Sequence, residues 1–219
     1  IGEWAQSYFE IPNAEYEKLA EAFNPIYFDP EEWVLAAKAA GMNYMVVTSK
    51  HHEGFCLFHS AYDTFNVVDS TPFGRDVIGE LSQACRKHGL KFGLYYSQEL
   101  DWHEPNGGGY KSGKTNCGEM SWTNCWDFPD NEHKNFEQCF RAKTLPQVKE
   151  LLTNYGDLCL IWFDTPHVIT PAQSQELYDL VKSLQPNCLI NTRIGNGLGD
   201  YRSMGDNEIP DEDMSGILA

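Results

Sequence analysis

The strongest constraint on the fold is an alternation of two hydrophobic periods along the chain. Stretches with apolar residues three to four positions apart are each followed by a short apolar run of strand length. Helices are predicted at about 30–40, 77–88, 145–155 and 177–184, and their strands at about 44–48, 90–96, 158–163 and 188–191. Because this order builds βαβ units around a parallel sheet, the chain is predicted to be an α/β protein.

The first of these helices has the clearest ends. Asp29 is a good N-cap, Pro30 suits the first helical position, and Gly41 suits the end. The residues expected to face the core from this helix are Trp33, Ala36, Ala37 and Ala40.

Two architectures fit a parallel sheet: a doubly wound open sheet and a (β/α)8 barrel. The glycine cluster Gly195, Gly197 and Gly199 is not followed by a helix of the right pattern, so it does not indicate a phosphate loop. Polar and aromatic residues instead gather after the strands, where barrel active sites lie. A barrel takes about 250 residues. With four clear strands and a fifth expected near Met204, the 219 residues are interpreted as one domain, an incomplete (β/α)8-like barrel.

Composition excludes several classes of partner. The 16 Lys and Arg against 32 Asp and Glu leave a net charge of −16, which disfavours nucleic acid and anionic membranes. No apolar run is long enough to span a bilayer. The seven cysteines form no C-x-x-C pair, so a structural zinc site is not expected. Cys117 and Cys125 could form a local disulfide, whereas Cys85 and Cys159 are expected to be buried thiols.

The candidate nucleophile lies at the end of the third predicted strand. Side chains alternate along a strand, so Leu160, Trp162 and Asp164 share one face. The next helix begins only near Pro171, which makes a helix-capping role for Asp164 improbable. A carboxylate above an indole at a strand end is therefore predicted to be catalytic.

Groups suited to a sugar follow the other strands. His51 and His52 come after the first strand, and imidazole can both donate to and accept from hydroxyl groups. Tyr95 ends the second strand, shortly before Asp101 and Trp102. The segment 103–135 has no apolar period and is predicted to be a long, partly ordered loop over this face.

These motifs resemble family 29 of the glycoside hydrolases, the α-L-fucosidases. The resemblance is carried by four blocks of sequence: Lys50 to Phe55 (KHHEGF), Asp63 to Asp76 (DTFNVVDSTPFGRD), Gly93 to Ser97 with Asp101-Trp102, and Leu160 to Asp164 (LIWFD). It implies a retaining exo-glycosidase on a (β/α)8-like barrel, acting on fucosylated glycans without metal or organic cofactor. It also implies a periplasmic, secreted or lysosomal location rather than a cytoplasmic one.

The resemblance assigns roles to particular residues. It implies that Asp164 is the nucleophile and that His51, His52, Tyr95 and Trp4 bind the sugar. Trp162 is expected to add an aromatic wall. The family's first strand is expected before the start of this chain, and its acid/base is poorly defined by sequence. The acid/base is therefore expected either to be Glu208 or to be absent from these 219 residues.

Two other functions remain open from the sequence. A metal-dependent barrel hydrolase would use His51, His52 and Asp164 as ligands. A non-catalytic fucose-binding protein would use the same pocket without turnover. Linkage preference and oligomeric state are not indicated by the sequence.

Overall fold

The computed structural model describes residues 2–110, 122–205 and 208. Four short helical segments come first: a 3₁₀ turn at Gly2–Trp4, then α1 (Ala5–Tyr8), α2 (Asn13–Tyr16) and α3 (Lys18–Ala22). The remaining elements follow in the order α4 (Pro30–Ala39), β1 (Tyr44–Lys50), α5 (Val77–His88), β2 (Lys91–Ser97), α6 (Phe136–Cys139), a π-helical segment (Phe140–Thr144), α7 (Leu145–Asn154), β3 (Leu160–Asp164), α8 (Pro171–Leu184), β4 (Leu189–Ile190) and a 3₁₀ turn at Thr192–Ile194.

The four strands form one parallel sheet in the order β1-β2-β3-β4. Pairing of β2 with β3 sets Tyr95 beside Trp162 and Ser97 beside Asp164, so the carboxyl ends of these strands lie side by side. The α/β class and the parallel sheet predicted from the alternating periods are therefore confirmed.

The two faces of the sheet differ in burial, because helices cover only one of them among the described residues. One face carries fully buried apolar side chains that pack with the helices in the main core. These side chains include Leu94, Tyr96, Ile161, Phe163 and Ile190. The opposite face carries Tyr95, Trp162 and Asp164, because side chains alternate along each strand.

The predicted inner face of α4 is largely wrong. Asp29 caps the helix by accepting from the amides of Glu31 and Glu32, as its sequence position indicates. Of the four residues expected in the core, only Ala37 is buried, and Val34 is the other buried residue of this helix. Trp33 is 52 % exposed and packs edge-on against Phe28 instead.

A fifth strand near Met204 is not formed in the part of the chain that the structure describes. Tyr201 makes a single parallel bridge with Asn191, and residues 202–205 are irregular. The prediction of a long loop is consistent with the described parts of 103–135, which contain no helix or strand.

The cysteines divide into two groups. Cys85 is a buried free thiol, as predicted, whereas Cys159 is free but only half-buried. Cys125 is disulfide-bonded, and Cys117 lies outside the described residues. No helix among the described residues has the length and apolar character needed to cross a bilayer.

Candidate active site

Asp164, the last residue of β3, is held by three donors. The Tyr95 hydroxyl donates to its Oδ2 atom at 2.7 Å. Arg193 Nη1 and the Thr165 amide donate to Oδ1 at 2.8 and 3.0 Å. These three hydrogen bonds, one of them from a cationic group, hold the carboxyl group in one orientation.

The backbone turns sharply immediately after this carboxylate. Thr165 has φ = 52°, in the left-handed region that β-branched residues rarely occupy. Such a conformation is costly and persists only where surrounding contacts enforce it, which is most common at functional sites. The turn places the Thr165 amide on Asp164 and directs the following residues across the end of the sheet.

Tyr95 reaches Asp164 from the neighbouring strand β2. Burial and the charge of Asp164 raise the pKa of the Tyr95 phenol above its usual value, so the group stays protonated and acts as a donor. The His51 ring stacks on the Tyr95 ring, with centroids 5.5 Å apart and planes 20° apart. His51 therefore lies beside the Asp164–Tyr95 pair.

His52 is a neutral, buried imidazole. Burial, followed by the charges of His51 and Lys50, lowers the pKa of His52 to about 2. Its Nδ1 atom shares a 2.8 Å hydrogen bond with the Ser97 hydroxyl, which itself donates to the Leu100 carbonyl. His52 therefore keeps one ring position fixed by protein and can use the other toward a ligand.

Three tryptophans form a wall next to His52. Trp4, at the end of the first 3₁₀ turn, has its ring centroid 5.0 Å from His52, 5.4 Å from Trp102 and 5.8 Å from Trp122. Trp102 Nε1 donates to the Trp122 carbonyl at 2.7 Å. Aromatic rings beside hydrogen-bonding groups suit a sugar, whose C–H face packs on rings while its hydroxyl groups bond.

A buried group of charges supports the histidine pair from below. Asp101 Oδ2 lies 2.8 Å from Lys50 Nζ and 2.8 Å from Lys143 Nζ, and all three side chains are almost fully buried. Lys143 also pairs with Asp63. Burial alone would raise the pKa of Asp101, but the charges of Lys143 and Lys50 outweigh it and lower that pKa below its usual range.

This charge cluster fixes the turn that carries the histidines. The Trp102 amide donates to the His52 carbonyl at 2.7 Å, which joins the two segments directly. Gly54 has φ = 89°, and a Cβ atom there would lie 2.5 Å from Asp101 Oδ1. Only glycine fits this close approach, so the spacing between the histidine turn and Asp101 depends on Gly54.

The structure brings most of the predicted site residues together. Asp164, Tyr95 and His51 form one contact group, and His52 and Trp4 form an adjacent one. Trp162 pairs in register with Tyr95 on the sheet. The guanidinium carbon of Arg193 lies 5.9 Å from the centre of the Trp162 ring.

Glu208 is placed differently from the other candidates. It is exposed, and its Oε2 atom accepts from the Gly205 amide at 2.6 Å within its own turn. Among the described residues it makes no hydrogen bond or ion pair with Asp164. Its assignment as acid/base therefore stays a prediction.

Three side chains of the site were missed at the sequence level: Lys50, Lys143 and Arg193. Arg193 follows β4 at the same edge of the sheet as Asp164, so the rule that strand ends build the site would have found it. Lys50 opens a motif that the sequence analysis used only for its histidines. A buried lysine is seldom expected, because burial requires a partner that is distant in the sequence.

The site thus combines an oriented carboxylate, hydrogen-bonding histidines and an aromatic wall at the carboxyl edge of a parallel sheet. The family model described as alpha-L-fucosidase matches residues 2–218. The chain therefore belongs to the α-L-fucosidase family.

Curated relatives agree with the family match. Plasma alpha-L-fucosidase of Homo sapiens is 34 % identical over 157 residues, which are 70 % of this chain and 28 % of that protein. Alpha-L-fucosidase 1 of Arabidopsis thaliana is 29 % identical over 197 residues, covering 84 % of this chain and 31 % of that protein. The chain thus spans about a third or less of the length of these relatives.

Solved structures show the same similarity in three dimensions. The alpha-L-fucosidase AlfC from Lactobacillus casei, in complex with α-L-fucose product, has 61 % identity and a TM-score of 0.89, over 95 % of this chain and 64 % of that one. Isoenzyme 1 from Paenibacillus thiaminolyticus has 39 % identity and a TM-score of 0.80, over 92 % and 48 % of the two chains.

The buried charge cluster makes a prediction about stability. Asp101→Asn leaves two buried ammonium groups without their shared carboxylate, and we expect the free energy of unfolding at pH 7 to fall by about 3–5 kcal/mol in urea titrations. Glu15→Gln breaks the exposed Glu15–Lys18 pair and serves as the control, with an expected change below about 1 kcal/mol.

The loss of stability in Asp101→Asn should also depend on pH. Because the folded-state pKa of Asp101 is lowered, its contribution is present above the unfolded pKa of about 4 and is lost as the pH falls through and below that value. The stability gap between wild type and Asp101→Asn should therefore narrow in acid. A gap that is constant from pH 7 to pH 3 would contradict this assignment.

The neutral state of His52 makes a second prediction. Between pH 7 and pH 5 the unfolded chain protonates this histidine and the folded chain does not, so folding stability falls by about 2 kcal/mol. His52→Gln should remove that part of the loss, measured as the difference between urea unfolding at the two pH values.

His133 provides a control for His52, because its effect on folding stability between pH 7 and pH 5 has the opposite sign. The hydrogen bond to Asp130 raises the pKa of the exposed His133, so its favourable contribution is present at low pH and is lost as the pH rises. His133→Gln should therefore increase the loss of stability between pH 7 and pH 5. Equal losses in wild type and His52→Gln would show that His52 titrates normally.

Proposed function

We propose that the protein is a retaining exo-α-L-fucosidase that releases terminal α-L-fucosyl units from glycans. The observation that carries the proposal is the Asp164 carboxylate, which Tyr95 and Arg193 orient beside His51. A structure of AlfC in complex with Fucα(1,6)GlcNAc supports a fucosylated oligosaccharide as the substrate class.

In this mechanism Asp164 forms a covalent bond to the substrate. One carboxylate oxygen attacks the anomeric carbon while the bond from that carbon to the leaving oxygen breaks, and an acid protonates the leaving oxygen. Water, deprotonated by the same acid/base group, then attacks the anomeric carbon and frees Asp164. The two inversions give net retention, and the residues invoked require no cofactor.

Tyr95 and Arg193 have distinct effects on the nucleophile. Each engages a different oxygen of Asp164, so the carboxylate is presented in a single plane. When Asp164 becomes an ester, its negative charge disappears, and Tyr95 and Arg193 then donate to the oxygens of a neutral ester until hydrolysis restores the carboxylate. Preorganised donors of this kind need no reorientation during the reaction.

The parallel sheet is proposed to be part of a (β/α)8-like barrel. Supporting this, the site lies at the carboxyl ends of β2 and β3 and after β1 and β4, as barrel active sites do. One face of the sheet is packed by helices, and the other carries the site residues.

For the acid/base, the proposed residue is Glu208. Its support is its place in the chain: it follows Met204, whose carbonyl accepts from Arg193 Nη2 at 2.8 Å, while Arg193 Nη1 contacts Asp164. A general acid works best where its proton is shielded from water. The exposed carboxyl of Glu208 would therefore have to be covered by the bound glycoside.

The nucleophile is tested by Asp164→Ala with 4-nitrophenyl α-L-fucoside. Turnover should fall by several orders of magnitude because no covalent intermediate can form. Azide should restore turnover and give a β-fucosyl azide, identified by NMR. The control is Asp157→Ala, which removes an exposed carboxylate near the opposite end of β3. A variant that keeps more than about a tenth of the wild-type rate would exclude Asp164 as the nucleophile.

Glu208→Ala tests the acid/base. We expect hydrolysis of a fucosyl disaccharide to fall about 10²-fold or more, because its leaving alkoxide needs a proton, while the aryl fucoside is affected less. Glu21→Ala, at an exposed position on α3, is the control. Unchanged disaccharide hydrolysis in Glu208→Ala would show that a different carboxyl group supplies the proton.

A further inference from the structure

Two rings at the border of the site have no role in the mechanism above. The His167 and Trp122 rings meet edge to face, with centroids 4.3 Å apart and planes at 82°. His167 is exposed and Trp122 is half-buried, so both retain surface for a ligand. They come from different loops, one following β3 and one following β2.

A single buried carboxylate anchors both loops. Glu99 Oε2 accepts from the His167 amide at 2.8 Å and from the Ile169 amide at 2.9 Å. Its Oε1 atom accepts from the Gly109 amide at 3.0 Å, and the Gly109 carbonyl accepts from the Trp122 amide at 2.9 Å. Glu99 thus fixes the backbone beneath both rings.

The Glu99 carboxylate is enclosed by its protein partners. The Val168 amide also donates to both of its oxygens, at 2.8 and 2.9 Å. The side chain is almost fully buried, and a Cβ atom on Gly108 would lie 2.1 Å from Glu99 Cγ. With its oxygens occupied by amides, Glu99 positions the loops rather than touching a substrate.

His167 lies close to the nucleophile. Only Thr165 and Pro166 lie between it and Asp164, so the two Cα atoms are at most about 11 Å apart along an extended chain. Thr165, in this short segment, has φ = 52°, so the chain turns sharply directly after Asp164. Burial lowers the pKa of His167, with an opposing effect from the charge of Asp164, so the imidazole is neutral and can both donate and accept hydrogen bonds.

We propose that His167 and Trp122 form the binding subsite for the leaving-group sugar, the unit to which fucose is attached. This inference rests on the proposed function. In an exo-acting site the fucosyl unit occupies the floor around Asp164, so the next sugar meets the border. An indole offers an apolar surface to sugar C–H groups, and a neutral imidazole offers hydrogen bonds to its hydroxyl groups.

The subsite is tested with two substrates that share the fucosyl unit. Fucα(1,6)GlcNAc carries a sugar leaving group, whereas α-L-fucosyl fluoride has a leaving group too small to reach either ring. In His167→Ala we expect the ratio of kcat/KM for the disaccharide to kcat/KM for the fluoride to fall at least tenfold, mainly through KM. His133→Ala, at an exposed histidine that pairs with Asp130, should leave this ratio unchanged.

Glu99→Gln tests the anchoring. An amide replaces one acceptor oxygen by a donor, which opposes the backbone amides of both loops. Circular dichroism confirms that the variant is folded, and the same substrate ratio should fall. A fall in the ratio for His167→Ala with none for folded Glu99→Gln would overturn the anchoring role.

The same measurements distinguish failure of the subsite proposal from failure of the proposed function. A wild type active on both substrates, with parallel losses or no losses in His167→Ala, would overturn the subsite alone. A folded wild type that hydrolyses neither substrate would overturn the proposed function and the subsite with it.

Discussion

The site depends on one buried electrostatic contact, the Asp101 carboxylate between the ammonium groups of Lys50 and Lys143. Removing any one of these charges from water is costly, and the arrangement persists because each has a partner within 2.8 Å. Lys50 ends β1 and leads directly into the histidine pair. The contact therefore couples the position of His51 and His52 to that of Lys143, which lies on a π-helical segment far away in the sequence.

Asp164, the proposed nucleophile, illustrates a balance between orientation and reactivity. The donors that orient Asp164 also stabilise the negative charge of its carboxylate, which lowers its tendency to attack. Orientation offsets this, because Tyr95 and Arg193 hold the two carboxylate oxygens in place before the new bond forms. Arg193 is restrained further by Gln98, whose side-chain amide donates to the Arg193 carbonyl at 2.9 Å. The orientation of Asp164 is thus set by contacts that reach back to the end of β2.

Much of this arrangement was predictable from sequence, because hydrophobic periods report which residues face a core. The alternation predicted the parallel sheet, and the positions of Asp164 and Tyr95 at strand ends made both of them candidates for the site. The prediction for α4 assumed that Trp33 faces the core because it is large and apolar. It failed because Trp33 packs against Phe28, away from the side of the helix that is buried. Lys143 and Glu99 could not be predicted, because their partners are fixed only by tertiary packing.

The π-helical segment Phe140–Thr144 has a consequence for how this domain tolerates change in length. A π turn holds one residue more than an α turn, so deleting one residue there could restore a regular helix at little local cost. Everything beyond the deletion would then rotate by about 100° around the helix axis. Gln147, whose Oε1 atom accepts from the Tyr96 hydroxyl at 2.8 Å, would leave the sheet. The extra residue thus determines which side chains of α7 face the sheet. Without it, a regular helix would turn different side chains toward the strands that it covers.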